Sequence, residues 1–260
     1  MEKFTNILNR MKLHMEKYKE ETLKIEKSSL KPAAVLVPLF EHEEELFVLL
    51  TKRTDKVGSH QGDVCFPGGK QDDTDDNIVA TALRETWEEI GLKPSQVEVL
   101  GAMFPTVSYT RLLVTPVIGF IKDVQDVKLN INTDEVDDIF ACRLDFFLDS
   151  SSHKYVQSKI TPGLYLHLFK FNSQPQSDTG CDFIAKVFNP KHNKHLIYGL
   201  TAHMAILAAL VCLDKKSGYN IAGGDTPLTQ DSYMGFQIKY LNHRIIAFTK
   251  QKSTTLNYKL

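Results

Sequence analysis

Two hydrophobic periods divide this chain. Ala33-Ala34-Val35-Leu36-Val37-Pro38-Leu39-Phe40 is an almost unbroken apolar run, the pattern of a strand covered on both faces. Glu41 to Glu45 is polar, and Leu46-Phe47-Val48-Leu49-Leu50-Thr51 is apolar again, so the two runs predict a hairpin. Val97 to Phe104 and Leu112 to Phe120 predict two more strands, with a turn over Pro105 to Thr110 bordering a cleft. Thr133 to Phe140 reads as an acidic loop entering a strand, Leu144 to Leu148 as a short helical turn. Tyr165 to Phe171 alternates like a half-buried strand.

The helical period appears in three places. Phe4, Ile7, Leu8, Met11, Met15 and Tyr18 form one apolar stripe on the charged segment 2–27, which predicts a helix docked on the domain. A mitochondrial presequence is the alternative, against which Glu2, Glu16, Glu20 and Glu21 count. Ala80, Leu83, Trp87 and Ile90 predict an amphipathic helix that Gly91 ends. Tyr198-Gly199-Leu200-Thr201-Ala202 opens a strongly apolar helix running through Leu213, and core packing is its expected role. Residues 172–181 predict a polar loop. Beyond it all, Gly218, Gly223, Gly224 and Pro227 mark turns, and Gly235 to Phe248 predicts a strand.

Composition narrows the function classes. The chain has 260 residues, 42% hydrophobic and 24% charged, as in ordinary globular proteins. Its net charge is −1 with no basic block, which gives nucleic acid no electrostatic footprint. Cys65, Cys142, Cys181 and Cys212 lie far apart without a CxxC pair, against a zinc site or a disulfide framework. A reducing intracellular compartment fits them. The longest apolar stretch, Ala202 to Leu213, is too short to span a bilayer, and the first twenty residues lack the apolar core of a secretory signal.

Chemistry gathers on the helix ending at Gly91. Glu85, Glu88 and Glu89 stand at i, i+3 and i+4 and share one face. Like charges at that spacing cost a bare helix roughly 0.2–0.5 kcal/mol each. A hard divalent cation such as Mg²⁺ or Mn²⁺ would neutralise them, since such ions prefer oxygen ligands. Upstream, Lys52, Arg53, Lys56 and His60 collect positive charge ahead of Phe66-Pro67-Gly68-Gly69. A basic loop beside a carboxylate metal site suits a phosphorylated substrate, which Arg grips bidentately and Lys meets as a point charge.

The stretch from Gly68-Gly69 through Arg84-Glu85-Thr86-Trp87-Glu88-Glu89-Ile90-Gly91-Leu92 resembles the Nudix box, G-x5-E-x7-R-E-U-x-E-E-x-G-U with U apolar. Thr86 stands at the apolar U position. Arg84 follows Gly69 by fifteen residues, one more than the box requires, and the box's first Glu is replaced by a run containing Asp72, Asp73, Asp75 and Asp76. The sequence does not choose among these four. Leu49, Leu50, Thr51, Arg53, Gly62, Phe66, Pro67, Gly68 and Gly69 also match the signature L-L-T-x-[RT]-[SA]-x3-R-x3-G-x3-F-P-G-G. That signature marks the coenzyme A diphosphatase branch of the family. Thr54 replaces the small residue, and Gly58 stands where the signature has Arg, with Lys56 or His60 near enough to take over. Gly199-Leu200-Thr201-Ala202 is similar to the branch's G-[LM]-T-A element, so the likeness runs from about residue 33 to 216.

The resemblance implies an α+β Nudix fold, a mixed β-sheet sandwiched between helices with the box as loop–helix–loop. It implies a helical extension over 1–30, a hydrolase domain over 31–216 and a C-terminal extension over 217–260. The implied reaction is metal-dependent hydrolysis of coenzyme A or acyl-CoA at the pyrophosphate. Glu85, Glu88 and Glu89 would hold Mg²⁺ or Mn²⁺; Glu88 or Glu135 would take a proton, with Asp134 the nearest rival to Glu135. Arg84 would orient a box carboxylate, and Arg53, Lys56, Gly68 and Gly69 would meet substrate. ADP-ribose or NADH are the alternative substrates. A non-catalytic nucleotide sensor is the alternative class, which loss of box glutamates would mark; all three are present. Peroxisomal members of the branch end in a tripeptide similar to Tyr258-Lys259-Leu260, so a peroxisomal import receptor is the implied partner, with a cytoplasmic location otherwise.

Overall fold

The computed structural model describes residues 2–56, 61–157, 165–175, 180–219, 229–241 and 245. In chain order the elements are α1 (Glu2–Lys17), α2 (Lys19–Glu26), β1 (Lys31–His42), β2 (Glu45–Arg53), β3 (Val64–Cys65), β4 (Gly68–Lys70) and α3 (Ile78–Ile90). Then come β5 (Val97–Ala102), β6 (Thr106–Val107), β7 (Leu112–Ile121), β8 (Val136–Arg143), β9 (His153–Gln157), β10 (Tyr165–Asn172), α4 (Asp182–Phe188), β11 (Lys194–Tyr198) and α5 (Gly199–Leu213).

The main sheet runs β3-β2-β1-β7-β5, with β4 paired to β1, β6 to β7 and β8 to β2. β1 and β7 are parallel over Lys31↔Leu112 to Leu39↔Phe120, and the other pairs are antiparallel, so the sheet is mixed. The central position of β1 explains its unbroken apolar run, because a strand buried on both faces needs apolar side chains on both. Val37, Leu39, Val48, Leu50 and Phe140 pack with Ile7 and Met11 of α1 and with α5. Leu36, Phe40, Leu49, Ile139 and Ala141 pack with Ala82 and Ile90 of α3 and Phe183, Ile184 and Val187 of α4. The sheet therefore lies between two helical layers.

The predicted hairpin forms with His42↔Glu45 as its last pair. Its loop is Glu43-Glu44, both with positive φ, +49° and +63°, the conformation that matches the twist of the flanking strands. A second, three-stranded antiparallel sheet has the order β11-β10-β9. It packs Phe169 and Ile197 into the α5 side of the core.

Two expectations change. The segment 235–241, predicted as strand, is helical, part of a helix over 230–241. Tyr233, Met234, Gln237 and Leu241 are buried, at helical spacing, and a short apolar run does not by itself distinguish the two periods. The rest of the predicted strand lies outside the described residues except Ile245, as do Gly223, Gly224 and Pro227. On α3, Trp87 is exposed, and Thr81, Ala82, Thr86, Glu89 and Ile90 form the buried face instead.

α1 and the helix at 230–241 meet over α5. Arg10 Nη1 donates to the Cys212 carbonyl at 2.7 Å, answering an orphan acceptor at that helix's C-terminus. Tyr18 donates to Asp231 at 3.0 Å, and Gln230 and His14 lie 2.9 Å apart. Among the described residues no helix is long and apolar enough to cross a membrane. Met11 is fully buried and Leu13 is exposed on the same helix. Met11→Ala is expected to lower stability to denaturant by about 2–4 kcal/mol, whereas Leu13→Ala changes it by less than about 0.5 kcal/mol.

Candidate active site

α3 is fixed at both ends by its sequence. The Asn77 side chain accepts from the Val79 and Ala80 N–H groups, each at 3.0 Å, an N-cap that satisfies two orphan donors. Gly91 takes the left-handed conformation, φ +75°, and its N–H bonds the Trp87 carbonyl. A side chain there would meet Asn130 within 2.8 Å. Thr86, the polar residue at an apolar position of the box, is buried but satisfied, because its Oγ1 donates to the Ala82 carbonyl at 2.6 Å.

This orientation of α3 separates the three glutamates. Glu89 points inward and is almost fully buried. Its Oε2 accepts from the Gly68 N–H at 3.3 Å, and Arg53 Nη1 lies 3.9 Å from Oε1. Burial pushes the Glu89 carboxyl up to about 8; Glu135 and Glu85 add to the shift, against Arg53 and Gly68. Glu85 is partly buried beneath β4 and is also raised, by burial first and then by Glu88 and Glu135, against Arg84. Glu88 is turned to the rim and is exposed. Glu135 lies beyond the end of β2, where its carbonyl accepts from Thr54 N–H at 3.0 Å. The structure therefore brings Glu85, Glu89 and Glu135 within electrostatic reach of one another.

Arg84 organises the loop. Its Nε and Nη2 grip Asp75 bidentately at 2.8 and 2.9 Å. Nη1 lies 3.1 Å from Glu85 and 3.0 Å from Glu88, and Nη2 also donates to the Lys70 carbonyl at 3.2 Å. Asp75 further accepts from Thr81 Oγ1 and the Asp72 N–H, both at 2.9 Å. The guanidinium holds Asp75 well below the usual carboxylate range. Asp75 is thus the acidic residue built into the loop, six places after Gly69, and the extra residue of the loop falls between Asp75 and Arg84. Sequence reasoning left four aspartates open; the G-x5 spacing from Gly69 was the signal that selects this one.

The other expected residues sort by position. Arg53 reaches the carboxylates. Lys56 instead pairs with Asp134 at 3.1 Å, both side chains exposed. Gly68 and Gly69 permit close approach within the protein itself: a Cβ at Gly68 would lie 2.3 Å from the Ala34 carbonyl oxygen, and one at Gly69 2.4 Å from the Glu85 carboxylate. Gly58 and His60 lie outside the described residues. Asp63 and Tyr198 were not singled out by sequence, yet the Tyr198 hydroxyl donates to the Asp63 carboxylate.

Among the described residues no three His, Cys, Asp or Glu groups close into a ready cation cage. The donor set nonetheless fits a hard divalent ion. Glu85, Glu89 and Glu135 supply only carboxylate oxygen, the Glu89 oxygens are desolvated, and Arg53 stands 3.9 Å from Glu89 while Arg84 pairs with Glu85.

The sequence matches the NUDIX domain over residues 30–162. This chain belongs to the Nudix hydrolase family. Over 72% of its length, and 73% of the relative's, the Nudix hydrolase is 38% identical to peroxisomal coenzyme A diphosphatase NUDT7 of Mus musculus. Over 73% of its length it is 35% identical to Nudix hydrolase 15, mitochondrial, of Arabidopsis thaliana, and this match spans 61% of that protein. Among solved structures it is similar to a C. elegans Ap4A hydrolase, at 18% identity and a TM-score of 0.38 over 44% of this chain and 80% of that one.

Asp75 acts on the carboxylates through Arg84. Asp75→Asn keeps the shape but removes the charge that holds the guanidinium. Its kcat is expected to fall about 10–100-fold, as when partners behind metal ligands are changed, while circular dichroism stays native. An unchanged kcat would remove Asp75 from the site.

Proposed function

We propose that this Nudix hydrolase cleaves the pyrophosphate linkage of coenzyme A and acyl-CoA, giving 3′,5′-ADP and (acyl-)4′-phosphopantetheine, with Mg²⁺ or Mn²⁺ as cofactor. The observation that carries this reading is the junction of two motifs. The segment from Leu49 to Gly69 that resembles the coenzyme A signature places Arg53 and the Gly68 N–H directly on Glu89. The relationship to a coenzyme A diphosphatase supports it.

Glu85, Glu88 and Glu89 are the proposed ligands, with Glu88 at the rim. A divalent ion bound there supplies countercharge to carboxylates and phosphate oxygens and lowers the pKa of the attacking water. Glu135 is the proposed base. It is the acidic group outside the box that faces Glu85 and Glu89, whereas Asp134 is engaged by Lys56. It takes a proton as water oxygen bonds to phosphorus and the bridging P–O bond breaks. Arg84 is a positioning residue, held by Asp75, that keeps Glu85 and Glu88 in place. Arg53 stands near enough to share its charge between Glu89 and a substrate phosphate.

The proposed division leaves 1–30 and 217–260 as extensions around a hydrolase domain over 31–216. A peroxisomal location is proposed from the similarity to a peroxisomal coenzyme A diphosphatase; Tyr258, Lys259 and Leu260 lie outside the described residues.

Purified protein with Mg²⁺ or Mn²⁺ is to be offered CoA, an acyl-CoA, ADP-ribose and NADH, with products identified by mass. Release of 3′,5′-ADP from the CoA species at least tenfold faster than AMP from the others is expected, and a chelator should abolish it. Preference for ADP-ribose or NADH would overturn the CoA reading and direct attention to Gly58. No turnover of any substrate would favour a nucleotide sensor.

A further inference from the structure

The small sheet β9-β10-β11 has one face in the core and one in solvent. On the inner face His167, Phe169, His195 and Ile197 are buried. On the outer face the strand registers align Val156 with Leu166, Leu168 with Tyr198, and Lys170 with Leu196. An outward face of a two-layer sheet ordinarily alternates to polar. Here Val156, Leu166, Leu196 and Tyr198 are 56%, 45%, 43% and 42% exposed. With Leu168 they form a connected apolar band across all three strands. Scattered single apolar residues on a surface need no explanation, whereas a contiguous patch does.

Charge and position specify what covers it. Lys154, Lys170 and Lys194 stand on the same face, and none of its residues on these three strands is acidic. Their methylene stems extend the apolar band while the ammonium groups fringe it. Two copies of such a face would oppose lysine to lysine, so self-docking is disfavoured. A molecule with an apolar arm and several negative charges suits it.

The face also adjoins the active site. Tyr198, at one corner, donates its hydroxyl to Asp63. The Asp63 carbonyl accepts from Arg53 N–H at 2.9 Å, and the next N–H, that of Thr54, bonds Glu135. At the start of α5, Thr201 Oγ1 donates to the Val64 carbonyl at 2.9 Å, fixing this corner to the loop before the box. Two strand-to-strand steps, about 10 Å, and one side-chain contact therefore link Glu135 to the corner of the band.

We propose that the outer face of β9-β10-β11 is the binding surface for the acyl-pantetheine arm of the substrate. Val156, Leu166, Leu168 and Leu196 contact the chain, and the lysines draw in the polyanionic end. The inference rests on the CoA reading above and adds where chain length is sensed. The band crosses three strands about 4.8 Å apart and so offers a track about 10 Å long between the outer strands, enough for discrimination among chains. A chain lying on an open face buries about half its surface, so each methylene should change kcat/KM roughly twofold, about half the effect of full burial on a logarithmic scale.

The test measures kcat/KM for free CoA and for a series of acyl-CoAs, using the full chain, L166D, L196D and the double variant. L13D, exposed on α1, serves as control. Thermal melting checks that each variant is folded. The wild type and L13D are expected to gain with chain length, and the double variant to lose most of that gain, reading as a collapse of the long-chain to free-CoA ratio by tenfold or more. A wild type that hydrolyses CoA species while the variants keep its chain-length dependence overturns the face alone. A wild type that hydrolyses neither CoA nor acyl-CoA overturns the substrate reading beneath it. Loss of dimer in light scattering, or of binding to anionic phosphatidylserine vesicles, with the chain-length ratio intact would assign the face to a second copy or a membrane and overturn the proposal.

Discussion

Burial of the Glu89 carboxylate is the constraint on which the site depends. A glutamate at that position of a helix would ordinarily face water. The roll of α3 that buries Thr81, Ala82, Thr86 and Ile90 against the sheet buries Glu89 with them. An ionised group in such a place is costly unless something opposes its charge. The Gly68 N–H and the more distant Arg53 do so only in part, while Glu85 and Glu135 work against them. The fold thus holds, at one end of the sheet, a carboxyl whose ionised form lacks a full countercharge. That is a poor arrangement for stability and a suitable one for capturing a cation and the phosphates it accompanies.

The sheet decides which residues share that place. β4 pairs with β1 through Ala34↔Gly69 and Val35↔Gly68, which lays the two glycines over α3. β8 pairs with β2 through Arg53↔Val136, which brings Glu135 beside Arg53. Residues far apart in the chain therefore meet because strand register is set by the apolar faces of β1, β2 and β8. The Arg84–Asp75 clamp then stiffens the loop between β4 and α3.

Much of this was legible in the sequence. The apolar runs gave β1, β2, β7 and β10, and the helical stripes gave α1, α3 and α5, since these elements carry a strong single period. Spacing also put the three glutamates on one helix face, and resemblance to the Nudix motifs drew attention to Arg84, Arg53 and the paired glycines. What escaped notice has physical causes. Trp87 fits the apolar stripe of α3 by composition, yet the helix rolls so that small residues approach the sheet and the large indole stays outside. β9 and β11 are short and mostly polar or exposed, and their identity comes from pairing with β10. The helix at 230–241 is defined by contacts with His14, Tyr18 and α5, from the opposite end of the chain. The G-x5 spacing from Gly69 points to Asp75, but four donors from Arg84, Thr81 and the Asp72 backbone converging on it are seen only in the structure.

The most direct measurement of the account is Mn²⁺ binding to the wild type and to Glu89→Gln, followed by calorimetry or electron paramagnetic resonance. The substitution preserves size and removes the carboxyl that can ionise when a cation binds. The account predicts that the wild type binds Mn²⁺ and that the variant, still folded by circular dichroism, binds at least tenfold more weakly. Equal affinity in the two proteins would contradict it, because the carboxyl buried at Glu89 would then have no part in holding a cation.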